Sequence, residues 1–191
     1  MPIDAYCIDA APRNMRVMAK AAEYFMRPQS SGNPHSSLVV RNAYVTSENA
    51  TSTVEFPVLC LGERCSVYAD LTAGVKALVP TARVDELAEE WRLPYIDILR
   101  VSVGGDEPVV LHSALALLEA RRLGVIVFEY SHSGFWREEY TLKGILNALD
   151  YYGFKCFLAG RSATIPLTDC YVETFEELRT ADIICSSYPL F

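Results

Sequence analysis

Several features that would assign a class at once are missing from this sequence of 191 residues. No apolar run approaches the roughly 20 residues that a bilayer-spanning helix needs. The first residues, MPIDAYCIDAAPR, carry neither the basic start nor the long apolar centre of a signal peptide. Basic side chains are outnumbered 17 to 24, and the net charge of -7 removes the electrostatic drive toward nucleic acid. A polybasic contact with a membrane surface is excluded on the same ground. Histidine is scarce, with His35, His112 and His132 far apart, and the six cysteines (7, 60, 65, 156, 170 and 185) include no CxxC pair. Zinc ligands cluster at short spacings, so this scatter argues against a zinc site. Cys7, Cys156 and Cys185 fall inside apparent strands, where a free cysteine behaves as a small hydrophobe. A reduced, cytoplasmic protein is the expectation, and the sequon at Asn49-Ala50-Thr51 is then a chance match.

What remains is globular material. Hydrophobic residues make up 51% of the chain and charged residues 21%, enough at this length to bury the core of one domain. Ala5-Tyr6-Cys7-Ile8-Asp9 is an apolar run ending in an acid. From Pro12, the residues Met15, Met18, Ala22 and Phe25 recur at helical spacing, and the helix ends before Pro28. A polar loop leads to a strand over Leu38 to Val45 and another over Thr53 to Phe56, while Gly62 to Ala82 has no clear period. Val84 to Trp91 reads as a short acidic helix.

The stretch PYIDILRVSVGGDE, from Pro94 to Glu107, then gives a buried strand, a glycine turn and a helix beginning at Pro108. Leu111, Ala114, Leu115 and Leu118 share one face of that helix, which stops at Gly124. Val125 to Tyr130 is a strand, Ser131 to Glu138 an aromatic loop, and Leu142 to Leu149 a helix stopping at Gly153. Strands at Phe154 to Ala159 and Asp182 to Ser186 close the chain, with a short helix over Phe175 to Arg179 between them. Strands separated by helices predict an α/β fold with a mostly parallel sheet and helices on both faces.

In such a sheet, ligands bind outside the carboxyl ends of the strands. Asp9 stands at one such end, where a carboxylate can accept both hydroxyls of a ribose; it can equally cap the helix that follows. Glu129, in an apolar context, needs a partner or a raised pKa and is either a site group or a satisfied core carboxylate. Gly104 and Gly105 either admit a ligand close to the backbone or simply make a tight turn. His132, on the loop beside the same end, is a candidate acid or base, with a solvated histidine as the plain alternative. Asn42 either contacts a nucleobase or makes an asparagine turn. Asp106 and Glu107 read as helix-start charges, and Phe135 and Trp136 as a lid or as surface aromatics. Arg13, Arg16 and Lys20 make a solvated helix face. No Ser-His-Asp or Cys-His arrangement stands out.

The segments VDELAEEW, YIDILRVSVGGDEPVVLHSALALLE and LGVIVFEYS resemble the FkbM-type S-adenosylmethionine-dependent methyltransferases, with a match over roughly residues 5–185. Members of that family show T-x-D-x-L, then I-D-x-L-K-I-D-V-E-G-A-E, then a strand ending F-E. AYCIDAAPRNMRVM is similar to their second strand and its P-x-N turn, and NAYVTSENATSTVEF to their third strand and hairpin. The resemblance implies a class I methyltransferase-like, Rossmann-like sheet of order 3-2-1-4-5-7-6. It also implies S-adenosyl-L-methionine as cofactor and methyl transfer to a hydroxyl of a small molecule or sugar. By the match, Asp9 would hold the cofactor ribose and Asn14 would be the turn asparagine. Asn42, Ser102, Gly104 and Gly105 would line the cofactor, with Glu129 and His132 as the polar groups near the reacting hydroxyl.

Two departures accompany the match. Ser102 and Gly104 stand where the family signature has acids, and Arg100 stands where it has lysine. The family's first strand and its glycine-rich turn have no counterpart before Ile3. That strand is central in the implied order, so either Ala5–Asp9 pairs directly with Ile96–Val103 or the single domain of residues 1–191 is truncated at its N-terminus. Truncation is the expectation. A nicotinamide oxidoreductase would also need a glycine-rich first turn. The rival reading is a catalytically inactive methyltransferase-like remnant with a binding or scaffolding role.

Overall fold

The computed structural model describes residues 3–25, 36–48, 52–58, 75–131, 135–160 and 163–189. His132, the sequon at 49–51, Cys60, Cys65, most of the polar loop after the first helix and most of the unreadable stretch from Gly62 lie outside them. Backbone contacts divide the chain into two compact units, Met1–Val45 with Asn49–Ala82 and Thr46–Glu48 with Arg83–Phe191.

In the first unit, β1 (Asp4–Asp9) leads through Ala10 and Ala11 into α1 (Pro12–Phe25). Proline at the first helical position loses no hydrogen bond there. β1 pairs in parallel with β2 (Ser37–Asn42), and Asp9 stands opposite Asn42. The strand expected over Leu38 to Val45 is broken at Ala43, whose buried N–H donates to the Asp9 carbonyl at 3.2 Å. Beyond that break β3 (Tyr44–Val45) joins a second sheet, running parallel to β5 (Lys76–Ala82), while β4 (Thr53–Pro57) pairs antiparallel on the other side of β5. β5 thus occupies the end of the segment that showed no period. Pro80 is one cause, since proline weakens a strand signature; here it pairs with Thr53 alone, because β3 reaches only Thr81 and Ala82. Ala11, Phe56 and Val79 form the core of this unit, with Tyr44 and Val54 packed on it.

The second unit holds α2 (Val84–Glu90), β6 (Ile96–Val101), α3 (Glu107–His112), α4 (Leu115–Glu119) and β7 (Leu123–Ser131). It continues with α5 (Phe135–Glu138), α6 (Leu142–Tyr151), β8 (Lys155–Ala159), β9 (Thr164–Pro166), a 3-10 turn (Glu173–Glu177) and β10 (Thr180–Ser186). Its five strands are ordered β6-β7-β10-β8-β9. Phe128, Ile126, Ile183 and Cys156 are fully buried in this sheet, each large side chain contributing about 1.5–3 kcal/mol.

The mostly parallel, Rossmann-like sheet expected from the sequence is not what forms. The described strands make three separate sheets. Only β1/β2, β3/β5 and β6/β7 are parallel, while β4/β5, β7/β10, β10/β8 and β8/β9 are antiparallel. For β8/β9 the cause lies in the connection. A parallel pair needs a crossover of about a dozen residues or more, and the short link from Ala159 to Thr164 can only turn the chain back on itself. β1 and β6 belong to different sheets, so the direct pairing that an absent central strand would leave open is not made among the described residues.

The single helix expected from Pro108 to Gly124 is also divided. The Ser113 hydroxyl bonds back to the Val110 carbonyl at 2.7 Å and accepts the Val84 N–H at 3.2 Å, while the Ser113 carbonyl accepts from Asp85 N–H. Side chain-to-backbone bonding of this kind competes with helix propagation. The Asp85 carboxylate in turn accepts the Ala116 and Leu117 amides at 3.3 and 3.2 Å. Ser113, at the end of α3, therefore caps α2, and Asp85 of α2 caps α4.

Cys156 and Cys185, expected as free thiols, are directly opposed in β8 and β10 and joined by a disulfide, both fully buried. The reduced-protein reading loses the support it drew from them. Among the described residues no helix is long and apolar enough to cross a membrane.

Candidate functional site

In the second unit β7 outruns its parallel neighbour β6. Val101 pairs with Phe128, after which β7 continues through Glu129, Tyr130 and Ser131 while the other chain turns away. Ser102 is thereby set beside Glu129, and its Oγ donates to Glu129 Oε2 at a long 3.4 Å. Glu129 is half-buried, not enclosed in apolar surroundings as its sequence context suggested, and it stands opposite Asp182 of β10. The turn beyond Ser102 requires its glycines. Gly104 has φ 71° and Gly105 φ 117°, a region that side-chain-bearing residues avoid.

Glu107 holds this turn. Its carboxylate is fully buried and accepts Val103 N–H at 2.9 Å, Gly105 N–H at 3.0 Å and Trp136 Nε1–H at 2.9 Å. Glu107 is thus more than a helix-start charge, because its side chain turns back onto the residues before it. Gly105 is also bonded through its carbonyl, to Phe135 N–H at 3.2 Å. The aromatic loop contains the short α5, and Trp136 is 4% exposed, so it is an anchor and not a lid. Its ring lies 5.8 Å from Phe128, stacked, and 5.1 Å from Tyr130, edge-on.

Tyr130 carries the connection onward. Its hydroxyl donates to the Glu176 carbonyl at 2.8 Å and to the Glu176 carboxylate at 3.2 Å. That carboxylate also accepts from Tyr171 Oη at 2.6 Å and from the Leu142 and Lys143 amides at 3.0 Å each, at the start of α6. Burial alone would raise the Glu176 carboxyl, but these four donors outweigh it and hold it below its ordinary value. Burial and the Glu176 charge push the Tyr130 hydroxyl up to about 12.

Asp9 and Asn42 come together in the first unit. Asp9 Oδ1 accepts Ala11 N–H at 2.7 Å, an aspartate turn, and Oδ2 accepts from Asn14 Nδ2 at 2.9 Å. Asn42 Nδ2 donates to the Asp9 and Ala10 carbonyls at 2.8 and 3.1 Å, which ties the two strand ends. Ser102, Gly104, Gly105 and Glu129 come together in the second unit. Glu107, Trp136 and Glu176 were not singled out as site residues. Glu107 had a local signal, a glutamate two residues after a double glycine, whereas the reach to Trp136 has none. Among the described residues no group of three His, Cys, Asp or Glu could hold a metal ion. No protein-family model, no curated protein and no solved structure matches the chain.

Proposed function

We propose that the chain is an S-adenosylmethionine-dependent methyltransferase of FkbM type, acting on a hydroxyl of a small molecule or sugar. The observation that carries this reading is the Ser102–Glu129 pair beside the glycine turn, at the carboxyl ends of two parallel strands where α/β sheets bind ligands. Bound S-adenosylmethionine supplies an electrophilic methyl group. The residues present suit such a ligand in part. In the first unit, taken by itself, Asp9 uses one acceptor position on each carboxylate oxygen, and the ribose role that the resemblance implies rests on the lone-pair sites left over. Gly104 leaves the backbone open to close approach, whereas Gly105 is buried and bonded through both its N–H and its carbonyl. Glu129, or His132 next in sequence after β7, is the group to accept the proton of the substrate hydroxyl, with positioning supplying much of the rate.

A specific observation favours the rival, an inactive remnant that binds or scaffolds. Both oxygens of Asp9 already serve its own turn, and the acids of the family signature are replaced by Ser102 and Gly104. Calorimetric titration of the whole chain with S-adenosylmethionine decides between them. Submillimolar binding that Asp9→Ala abolishes is the expected result, and no detectable binding by a folded chain would sink the enzyme reading. The cytoplasmic location belongs to the same proposal and requires Cys156 and Cys185 to alkylate as thiols in freshly quenched cells, since disulfides are rare there.

A further inference from the structure

Within the second unit, α5 makes two separate bonds to the glycine turn. Trp136 Nε1–H reaches it through Glu107, donating to Oε2 at 2.9 Å, and the Phe135 N–H donates to the Gly105 carbonyl at 3.2 Å. The oxygen that takes the indole also takes Gly105 N–H at 3.0 Å, and the other takes Val103 N–H at 2.9 Å. Gly104 stands between the two pinned amides, partly exposed, at φ 71°. It makes no hydrogen bond among the described residues, so its peptide groups are left to a ligand. The indole ring meanwhile packs on Phe128 at 5.8 Å and on Tyr130 at 5.1 Å, the neighbours of Glu129 in β7. Side chains alternate across a strand, so those two rings lie on one face of β7 and Glu129 on the other. Trp136 is therefore joined to both halves of the site, the turn and the strand end, from the face opposite Glu129.

A buried carboxylate needs donors in place of water, and Glu107 is fully buried. Among its described donors the indole is the one supplied from outside the turn; the two amides belong to the residues it holds. Without the indole, Oε2 keeps a single donor, and the carboxylate gains by moving toward another. Such a movement carries Val103 and Gly105, and Ser102 with them. The Ser102–Glu129 contact has little room for it, because 3.4 Å is already long for a hydrogen bond. We propose that Trp136 is a positioning residue of this site: through Glu107 it sets the glycine turn against Glu129 and so governs how tightly the ligand is held. The inference rests on the reading of the site as one for S-adenosylmethionine.

The test compares the whole chain with two variants. Trp136→Phe keeps a ring against Phe128 and Tyr130 and deletes the indole donor. Thr168→Val deletes the acceptor of the Cys156 N–H, at 2.9 Å, on a strand separated from β6 by β7 and β10. Calorimetric titration with S-adenosylmethionine, on samples that circular dichroism shows to be folded, gives the dissociation constants. Trp136→Phe should weaken binding by about fivefold or more, because a smaller share of chains holds the turn in its competent form. Thr168→Val should bind as the native chain does, although its urea midpoint falls. The amides of Ser102 and Gly104 should shift in ¹⁵N-labelled Trp136→Phe and stay in place in Thr168→Val. A merely structural indole would lower the urea midpoint and leave the dissociation constant alone, and that result overturns the inference. Equal weakening in Thr168→Val overturns it too. Should Trp136→Phe not fold, Glu107→Gln serves in the same comparison, since its amide accepts at one oxygen only. Absence of binding by the native chain would remove the methyltransferase reading and this inference together, whereas equal binding by native chain and variant removes this inference alone.

Discussion

Glu107 is a buried carboxylate whose described hydrogen bonds come from two backbone amides and an indole. Burying an ion is unfavourable unless such bonds replace its water, so each donor matters more than an ordinary hydrogen bond would. Trp136→Phe keeps the ring packing against Phe128 and Tyr130 and deletes one donor; a loss of about 1.5–3 kcal/mol is expected. Urea unfolding measures that loss, and amide exchange at Val103 and Gly105 should accelerate with it. An unchanged urea midpoint would show that the indole bond is dispensable. At this scale the sequence was readable where contacts are local. Asp9, read as a ribose ligand or a helix cap, instead makes an aspartate turn on Ala11 N–H just before the helix, a contact between near neighbours in sequence, as is its bond to Asn14. The Glu107–Trp136 bond spans 29 positions and leaves no periodic trace.

Between elements, the same acids act as fasteners. Asp85 caps α4 while Ser113 caps α2, and Glu176 binds the 3-10 turn to the start of α6 and to β7. The lowered Glu176 carboxyl has a signed consequence. Its ionised form is favoured by the fold, so the stability it adds is complete above the unfolded value, about 4.3. That stability is lost as pH falls through this value toward the folded one. Urea midpoints taken from about pH 6 to about pH 3 should fall for the native chain and fall less steeply for Glu176→Gln. Parallel slopes for the two proteins would sink the assignment. The interrupted helix was illegible for a physical reason. Leu111, Ala114, Leu115 and Leu118 keep helical spacing straight through Ser113, and the break is marked instead by bonds to α2: Ser113 Oγ and carbonyl to the Val84 and Asp85 amides, and the Asp85 carboxylate to the Ala116 and Leu117 amides.

For the whole molecule, most elements were visible in the periodicity but strand direction was not. A pattern of apolar residues is the same read in either direction, so the antiparallel entry of β10 and the turn-back of β9 could come only from connection length and packing. Nor does spacing reveal that Cys156 and Cys185 meet; only their register across two strands does. Closing a loop of 29 residues should stabilise this unit by about 3.6 kcal/mol on the chain-entropy account. Unfolding with and without a reductant should show that difference, and Cys185→Ser should abolish the effect of the reductant. A midpoint indifferent to reduction would contradict it.

The place of β10 also bears on how the molecule is made. It is the last strand of the described chain, yet it lies between β7 and β8, so both wait with an open edge until residues 180–186 leave the ribosome. Unpaired edges invite pairing with another chain. The hazard during synthesis therefore lasts from the emergence of β7 to that of β10, and a chain released short of Thr180 would expose the apolar ladder of Ile126 and Phe128 to its neighbours.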